Sequence, residues 1–252
     1  MGTLLFFEIR KALRLRMLLT LVVLLGLESL WIAALSIRYW EMDHLQAYHS
    51  MGLLMTNIPQ VHSLLMPIFL TVFASRLASM EHDANTFKLF FSTRISPAQM
   101  FWAKMIPLSI INLILSAGPV CIIVLLAKAL VVELDTKVLL LQFVGSVLAG
   151  FAVTAIQLFL ALAFEKQQIA LLVGGAGGIL GAIAGVIPNW ICWFIPWQYF
   201  TLLAPVLPAF SGGSFAGLNY QAHMEVRLLF VLVVGVVAAG VCSRLFEKIA
   251  LK

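Results

Sequence analysis

One carboxylate stands alone in an apolar run. Residues 17–37 hold a single ionisable side chain, Glu28, near the middle of the stretch. A charged carboxylate at the centre of a bilayer costs roughly 2.5–3.5 kcal/mol on insertion scales, so it must face a bundle interior or water. Two roles stay open for Glu28: a cargo or gating contact, or a neutral acid hydrogen-bonded to a neighbouring helix. Arg76 is separated from it by about 10 Å in depth, counted by rise per residue, so a direct ion pair is not expected.

Other chemistry is excluded more easily. The histidines, His44, His49, His62, His82 and His223, are scattered without metal-ligand spacing. They read as loop or interface residues, and no metal site is expected. The three cysteines form no C-x-x-C pair, so neither a redox motif nor a disulfide framework is indicated. The stretch Gly212-Gly213-Ser214-Phe215-Ala216 falls one glycine short of a nucleophile elbow, and it lacks the strand–turn–helix setting that the elbow needs. Neither H-E-x-x-H nor the phosphate-cradling G-x-x-x-x-G-K-[ST] occurs. No catalytic residue is assigned, the chain is not expected to be an enzyme, and no cofactor is expected on it.

The elements that would position Glu28 follow from composition. Of the 252 residues, 62% are hydrophobic and only 11% charged, with a mean hydropathy of +1.05. Soluble domains carry about 45–50% apolar and about 25% charged residues. Too few polar side chains remain to coat a water-soluble globule, so lipid is part of the solvent. The net charge of +5 does not point to nucleic acid, because the basic residues flank apolar runs as membrane anchors do.

Six runs have the length and apolarity of membrane-spanning helices: 17–37, 58–78, 106–131, 138–164, 169–187 and 226–243. None alternates in the way barrel strands do, so the fold class is all-α, a single polytopic membrane domain over 1–252. The first run exceeds the roughly 7–15 residues of a cleaved signal sequence and is read as a retained span. With the N-terminus inside, twelve Lys and Arg residues fall on the cytoplasmic side. Four, Arg38, Lys128, Lys137 and Arg227, fall outside. The excess places both termini in the cytoplasm.

The segment 189–210 is apolar, but Pro196, Pro205 and Pro208 break it. It is expected to form a re-entrant or interfacial pair of short helices, with Trp190, Trp193, Trp197 and Tyr199 at the membrane–water boundary. Ser211-Gly212-Gly213-Ser214 then reads as a flexible loop. The fifth run carries Gly174, Gly177, Gly178, Gly181 and Gly185 with repeated G-x-x-x-G spacing. Such spacing lets helix backbones approach closely in lipid. Whether it serves packing within the chain or a moving or dimerising face stays open.

The stretch 80–104 between the second and third spans is the largest cytoplasmic element. Met80, Ala84, Phe87 and Phe91 recur at helical spacing on one face, and Glu81, Asn85, Lys88 and Ser92 on another. Ser96-Pro97-Ala98-Gln99 supplies an N-cap, a proline at the first helical position and a capping-box glutamine. A new helix is therefore expected to start at Ser96 and run into the third span. The amphipathic turn before it suits either a lipid surface or a docking partner.

This stretch resembles the coupling-helix region of type-2 ABC exporter permeases. Glu81, Asn85-Thr86, Leu89, Ser92-Thr93, Ile95-Ser96 and Lys104 match that pattern, while Asn85 and Arg94 stand where glycine and proline are common. Glu8-Ile9-Arg10-Lys11 resembles the family's N-terminal elbow helix. The small size and the outer Pro196-Trp197-Gln198-Tyr199 look most like the lantibiotic and bacitracin self-protection permeases. The resemblance implies a bacterial cell-membrane exporter of antimicrobial peptide, with ATP-Mg held on two copies of a separate ABC ATPase subunit. It also implies a second permease copy or homologous chain, the lipid bilayer as surroundings and no nucleic acid. Glu81, Asn85, Thr86, Phe87, Lys88, Phe90 and Phe91 would dock the ATPase, and Glu28 is the candidate cargo or gating contact. A different cargo (lipid, drug or ion) and an intramembrane enzyme or assembly protein are the alternatives.

Overall fold

The computed structural model describes residues 6, 8, 10–11, 17–42, 50–83, 96–183, 187–211 and 214–250. The elements in chain order are α1 (Met17–Met42), α2 (Met51–Met55), α3 (Asn57–Asp83), α4 (Pro97–Ala129), α5 (Thr136–Ala163) and α6 (Gln167–Ala182). They continue with α7 (Asn189–Cys192), a 3-10 turn (Pro196–Gln198), α8 (Tyr199–Leu202), β1 (Val206–Ser211), β2 (Ser214–Tyr220) and α9 (Met224–Ala250).

The apolar runs become helices, since lipid offers no partner for backbone N–H and C=O groups and only internal hydrogen bonding satisfies them. Among the described residues, five helices are long and apolar enough to cross a membrane: α1, α2 continued by α3, α4, α5 and α9. The expected span 169–187 is shorter. Helix α6 has 16 residues, about 24 Å of rise against a hydrocarbon core of about 30 Å. Its last turn closes at Ile183, whose N–H reaches back to the Ile179 carbonyl at 3.2 Å.

Helix α4 begins where the capping signals place it. The Ser96 hydroxyl accepts from the Gln99 N–H at 3.2 Å, and the Gln99 side chain accepts from the Ser96 N–H at 3.1 Å. Running 33 residues, about 50 Å, it is longer than the hydrocarbon core of about 30 Å is thick. At the other end of the bundle, Asp135 caps α5 by accepting from the N–H groups of Lys137 and Val138 at 3.0 and 3.1 Å.

Helices α3 and α5 form the buried centre, with α6 packed on α3 and α9 on α5. Helices α1 and α9 turn rows of leucine and valine outward, as lipid-facing helices do. The glycines of α6 are placed against α3. A Cβ at Gly178 would land on the Leu64 carbonyl, and one at Gly181 on the Ser63 carbonyl. The stripe is thus a packing face within the chain.

The hairpin β1–β2 is the departure from an all-helical body. Val206 pairs with Tyr220 and Ser211 with Ser214, with a shift in register between Ala209 and Phe210. Gly217, opposite Ala209, takes φ 145°, a conformation that strains any residue bearing a Cβ. The expected loop at 211–214 is therefore the closed end of a hairpin, with 212–213 outside the described residues. Prolines and small residues hid this pairing, because neither strand shows a clean alternation.

Candidate functional site: a buried charge network and an intramembrane acid–base pair

Four charged side chains meet at the end of the bundle where the chain leaves α3 and enters α4. The Lys104 ammonium donates to Glu8 Oε2 at 2.9 Å and to the Leu77 carbonyl at 3.0 Å, and lies 2.9 Å from Glu81 Oε1. Lys11 donates to the same Glu81 oxygen at 2.7 Å and to Glu8 Oε1 at 3.3 Å. Lys104 and Glu81 are fully buried and Glu8 is 1% exposed. Among the described residues two carboxylates face two ammonium groups, the pairing under which buried charges are tolerated. Burial by itself would lower the Lys11 pKa, but Glu81 and then Glu8 outweigh it and hold the ammonium above the ordinary lysine value. Its contribution to stability is present below that ordinary value and is lost as pH rises through the raised one.

The network joins three stretches far apart in sequence. Glu8 and Lys11 sit one helical turn apart in the N-terminal stretch, Glu81 lies in the last turn of α3, and Lys104 lies two turns into α4. Glu81 was expected to face a docking partner; it is fully buried and bonded to Lys11 and Lys104. Asn85, Thr86, Phe87, Lys88, Phe90 and Phe91 lie outside the described residues. The pair Glu8 and Lys11, Glu81, and Lys104 stand at three separate places in the sequence, which carries no signal that they touch.

The second constellation lies within the membrane. Glu28, on the buried face of α1, comes 2.6 Å from Nδ1 of His62 on α3. Glu28 is fully buried and His62 is 1% exposed. His62 was read as a loop or interface residue and is instead part of a buried helix–helix contact. The ring of Phe200, from α8, packs on His62 at 82° with centroids 5.4 Å apart. Glu28 Oε2 and His62 Nε2 have no hydrogen-bond partner among the described residues. Arg76 takes no part, since it donates to Thr20 Oγ1 at 2.5 Å. A lone acid and a lone histidine in two successive apolar runs were the available signal. Only the register of α1 on α3 turns them into a pair.

The segment after α6 was expected at the membrane–water boundary, and it turns largely inward. Trp193 packs on Phe230 with centroids 4.7 Å apart. Tyr199 is 1% exposed and donates to the Trp193 carbonyl at 3.0 Å. Gln198 donates to the Leu180 carbonyl, tying the segment to α6. Of the four aromatics, Trp190 is the one left mainly exposed. Nearby, at the end of the bundle remote from the charge network, Ser50, Gly52, Glu133, Asp135 and Tyr220 line a cavity of about 560 Å³.

Five described helices long and apolar enough to cross a membrane, packed into one bundle, define a multi-pass membrane protein. The sequence profile of the ABC-2 family transporter proteins matches residues 4–181, and the chain belongs to that family. No curated protein matches it in sequence. The match runs from the N-terminal stretch through α6 and so takes in all four residues of the network and the Glu28–His62 pair. Membership makes the chain a multi-pass transport component that works in a membrane with an ABC ATPase, and not itself the catalytic subunit.

Proposed function

We propose that the chain is the permease subunit of an exporter, with the stretch 80–104 as the element that receives work from the ATPase. The observation that carries this reading is the charge network. Glu81 and Lys104 stand at the two ends of that stretch and are ion-paired with each other, and Lys104 also donates to Glu8. A displacement of the stretch is thereby delivered to α3, α4 and the N-terminal elbow together. Phe87, Phe90 and Phe91 supply an apolar side for a groove on the partner, in the helix-in-groove mode, and Lys88 sets orientation more than affinity. Two ATPase copies carrying ATP-Mg and a second permease chain complete the assembly. Six crossings are counted from the apolar runs of the sequence, and the excess of Lys and Arg puts both termini in the cytoplasm. The cargo that the outer Pro196-Trp197-Gln198-Tyr199 favours by resemblance is a lantibiotic or bacitracin-like peptide, with Glu28 as a gating contact.

The test is recruitment. Phe87→Ala should lower co-purification with the ATPase subunit and permease-stimulated ATP hydrolysis at unchanged membrane level. Truncating a buried anchor at an interface typically costs about 1–4 kcal/mol, so affinity should fall at least several-fold. Cells carrying the variant should lose protection against the peptide. Full recruitment by Phe87→Ala combined with Phe91→Ala would refute the docking assignment.

A further inference from the structure

We infer that the seam between α1 and the α2–α3 pair is a lateral opening of the bundle, latched by a ladder of polar contacts. Three rungs cross it. At the first, Arg76 of α3 donates to Thr20 of α1 at 2.5 Å. At the second, Glu28 and His62 are hydrogen-bonded at 2.6 Å, with the Phe200 ring packed on the histidine. At the third, the Ser36 hydroxyl donates to the Leu54 carbonyl at 2.9 Å and accepts from the Asn57 side chain at 3.4 Å. Thr20, Glu28 and Ser36 stand at equal steps of eight positions. The rungs therefore follow one another about every 12 Å along α1 and cover about 24 Å of depth, most of a hydrocarbon core about 30 Å thick. The inference rests on these contacts and on the membrane placement of the helices, and not on the cargo or the docking reading.

The seams of the bundle are held in different ways. Lipid chains are as apolar as leucine, so helices in a membrane are joined by close packing and by hydrogen bonds. Helix α6 uses close packing, with Gly178 and Gly181 set against α3 carbonyls. Helix α9 does the same on α5, where Gly235 makes room for Phe151 and Ala152. Helix α1 meets α4 in that way too, since Leu25 fills the space over Gly118. Its buried residues as a whole, however, are half polar: Glu28, Ser29 and Ser36 beside Met17, Leu21 and Ile32. Its other side turns Leu19, Val23 and Leu30 outward. Close packing falls off steeply with separation, and a backbone seated over a glycine has one arrangement. Hydrogen bonds can exchange partners instead. A rung parted into hydrocarbon leaves its donor and acceptor unmet, which keeps the seam shut against lipid chains. Water or the polar groups of an entering molecule replace the rungs bond for bond, and α1 then swings off α3 about its seat on α4. The opening lies in the plane of the bilayer and exposes Glu28 and His62 at mid-depth.

The test measures distances between spin labels on the full chain in lipid nanodiscs, with Cys121, Cys192 and Cys242 replaced by alanine. No ATPase subunit is needed, so the outcome is separate from that of the docking assignment. One label pair, Leu30→Cys with Leu172→Cys, reports α1 against α6, which is seated on α3. The other, Leu172→Cys with Val237→Cys, reports α6 against α9. All three label sites are exposed. An interhelical hydrogen bond in lipid shifts a helix–helix equilibrium by about threefold on average, so three rungs amount to about thirtyfold. Thr20→Val and Ser36→Ala combined with Glu28→Leu and His62→Leu should raise the ratio of long to short α1–α6 distances by about that factor. The α6–α9 distances should stay as they are. Thr20→Val with Ser36→Ala alone keeps the central rung and should give about tenfold. Unchanged α1–α6 distances, or equal lengthening of both label pairs, would overturn the inference. If the fourfold variant does not fold, the double variant decides by the same two readings.

Discussion

Replacing Lys104 by methionine isolates what the charge network contributes. The side chain is fully buried and makes three polar contacts within 3.0 Å: Glu8, Glu81 and the Leu77 carbonyl. Methionine fills similar volume but removes one positive charge, so that among the described residues Glu8 and Glu81 face one ammonium group, Lys11, instead of two. Breaking a buried pair by removing one partner typically costs about 3–5 kcal/mol, mostly because a charge is left uncompensated. That is a factor of about 10² to 10⁴ in the folding equilibrium. The double variant Lys104→Met with Glu81→Gln restores neutrality with one carboxylate and one ammonium, so it should recover most of the loss. Thermal unfolding followed by size-exclusion fluorescence measures both. On the proposed role of the stretch 80–104 in receiving work from the ATPase, the single variant should also uncouple ATP hydrolysis from transport at temperatures where it remains folded. A single variant as stable as wild type, or a double variant no better than the single, would refute the reasoning.

Two further outcomes follow from the packing and from the charge distribution. Gly178→Ala and Gly181→Ala each drive a Cβ into an α3 carbonyl and should destabilise by about 1–3 kcal/mol, whereas Gly175→Ala meets nothing within 4 Å and should be neutral or stabilising by about 0.5–1 kcal/mol; equal effects at all three sites would exclude the close approach as the cause. Cysteines placed at 43–49 and 215–222 should react with an impermeant thiol reagent applied to intact cells while Lys88→Cys should not, and outside labelling of Lys88→Cys would reverse the orientation.

The sequence by itself determined the solvent. Apolar runs of span length with so few charges leave no water-soluble alternative, and helical hydrogen bonding inside each run follows from the absence of partners in lipid. Local signals were legible too: Ser96, Pro97 and Gln99 mark the start of α4 through contacts three residues apart, and periodicity needs no knowledge of neighbours. The hairpin was not legible, because its pairing of Val206 with Tyr220 depends on a register that prolines and small residues disguise. The glycine stripe announced close approach but not its partner, which the packing of α6 on α3 supplied. The decisive relations belong to the tertiary structure. Lys104 meets Glu8 across 96 positions, and Glu28 meets His62 across 34. A single sequence records which residues are charged. Which charges cancel one another depends on how far each helix slides and turns against the next, and that is fixed by the summed packing of the apolar faces around them.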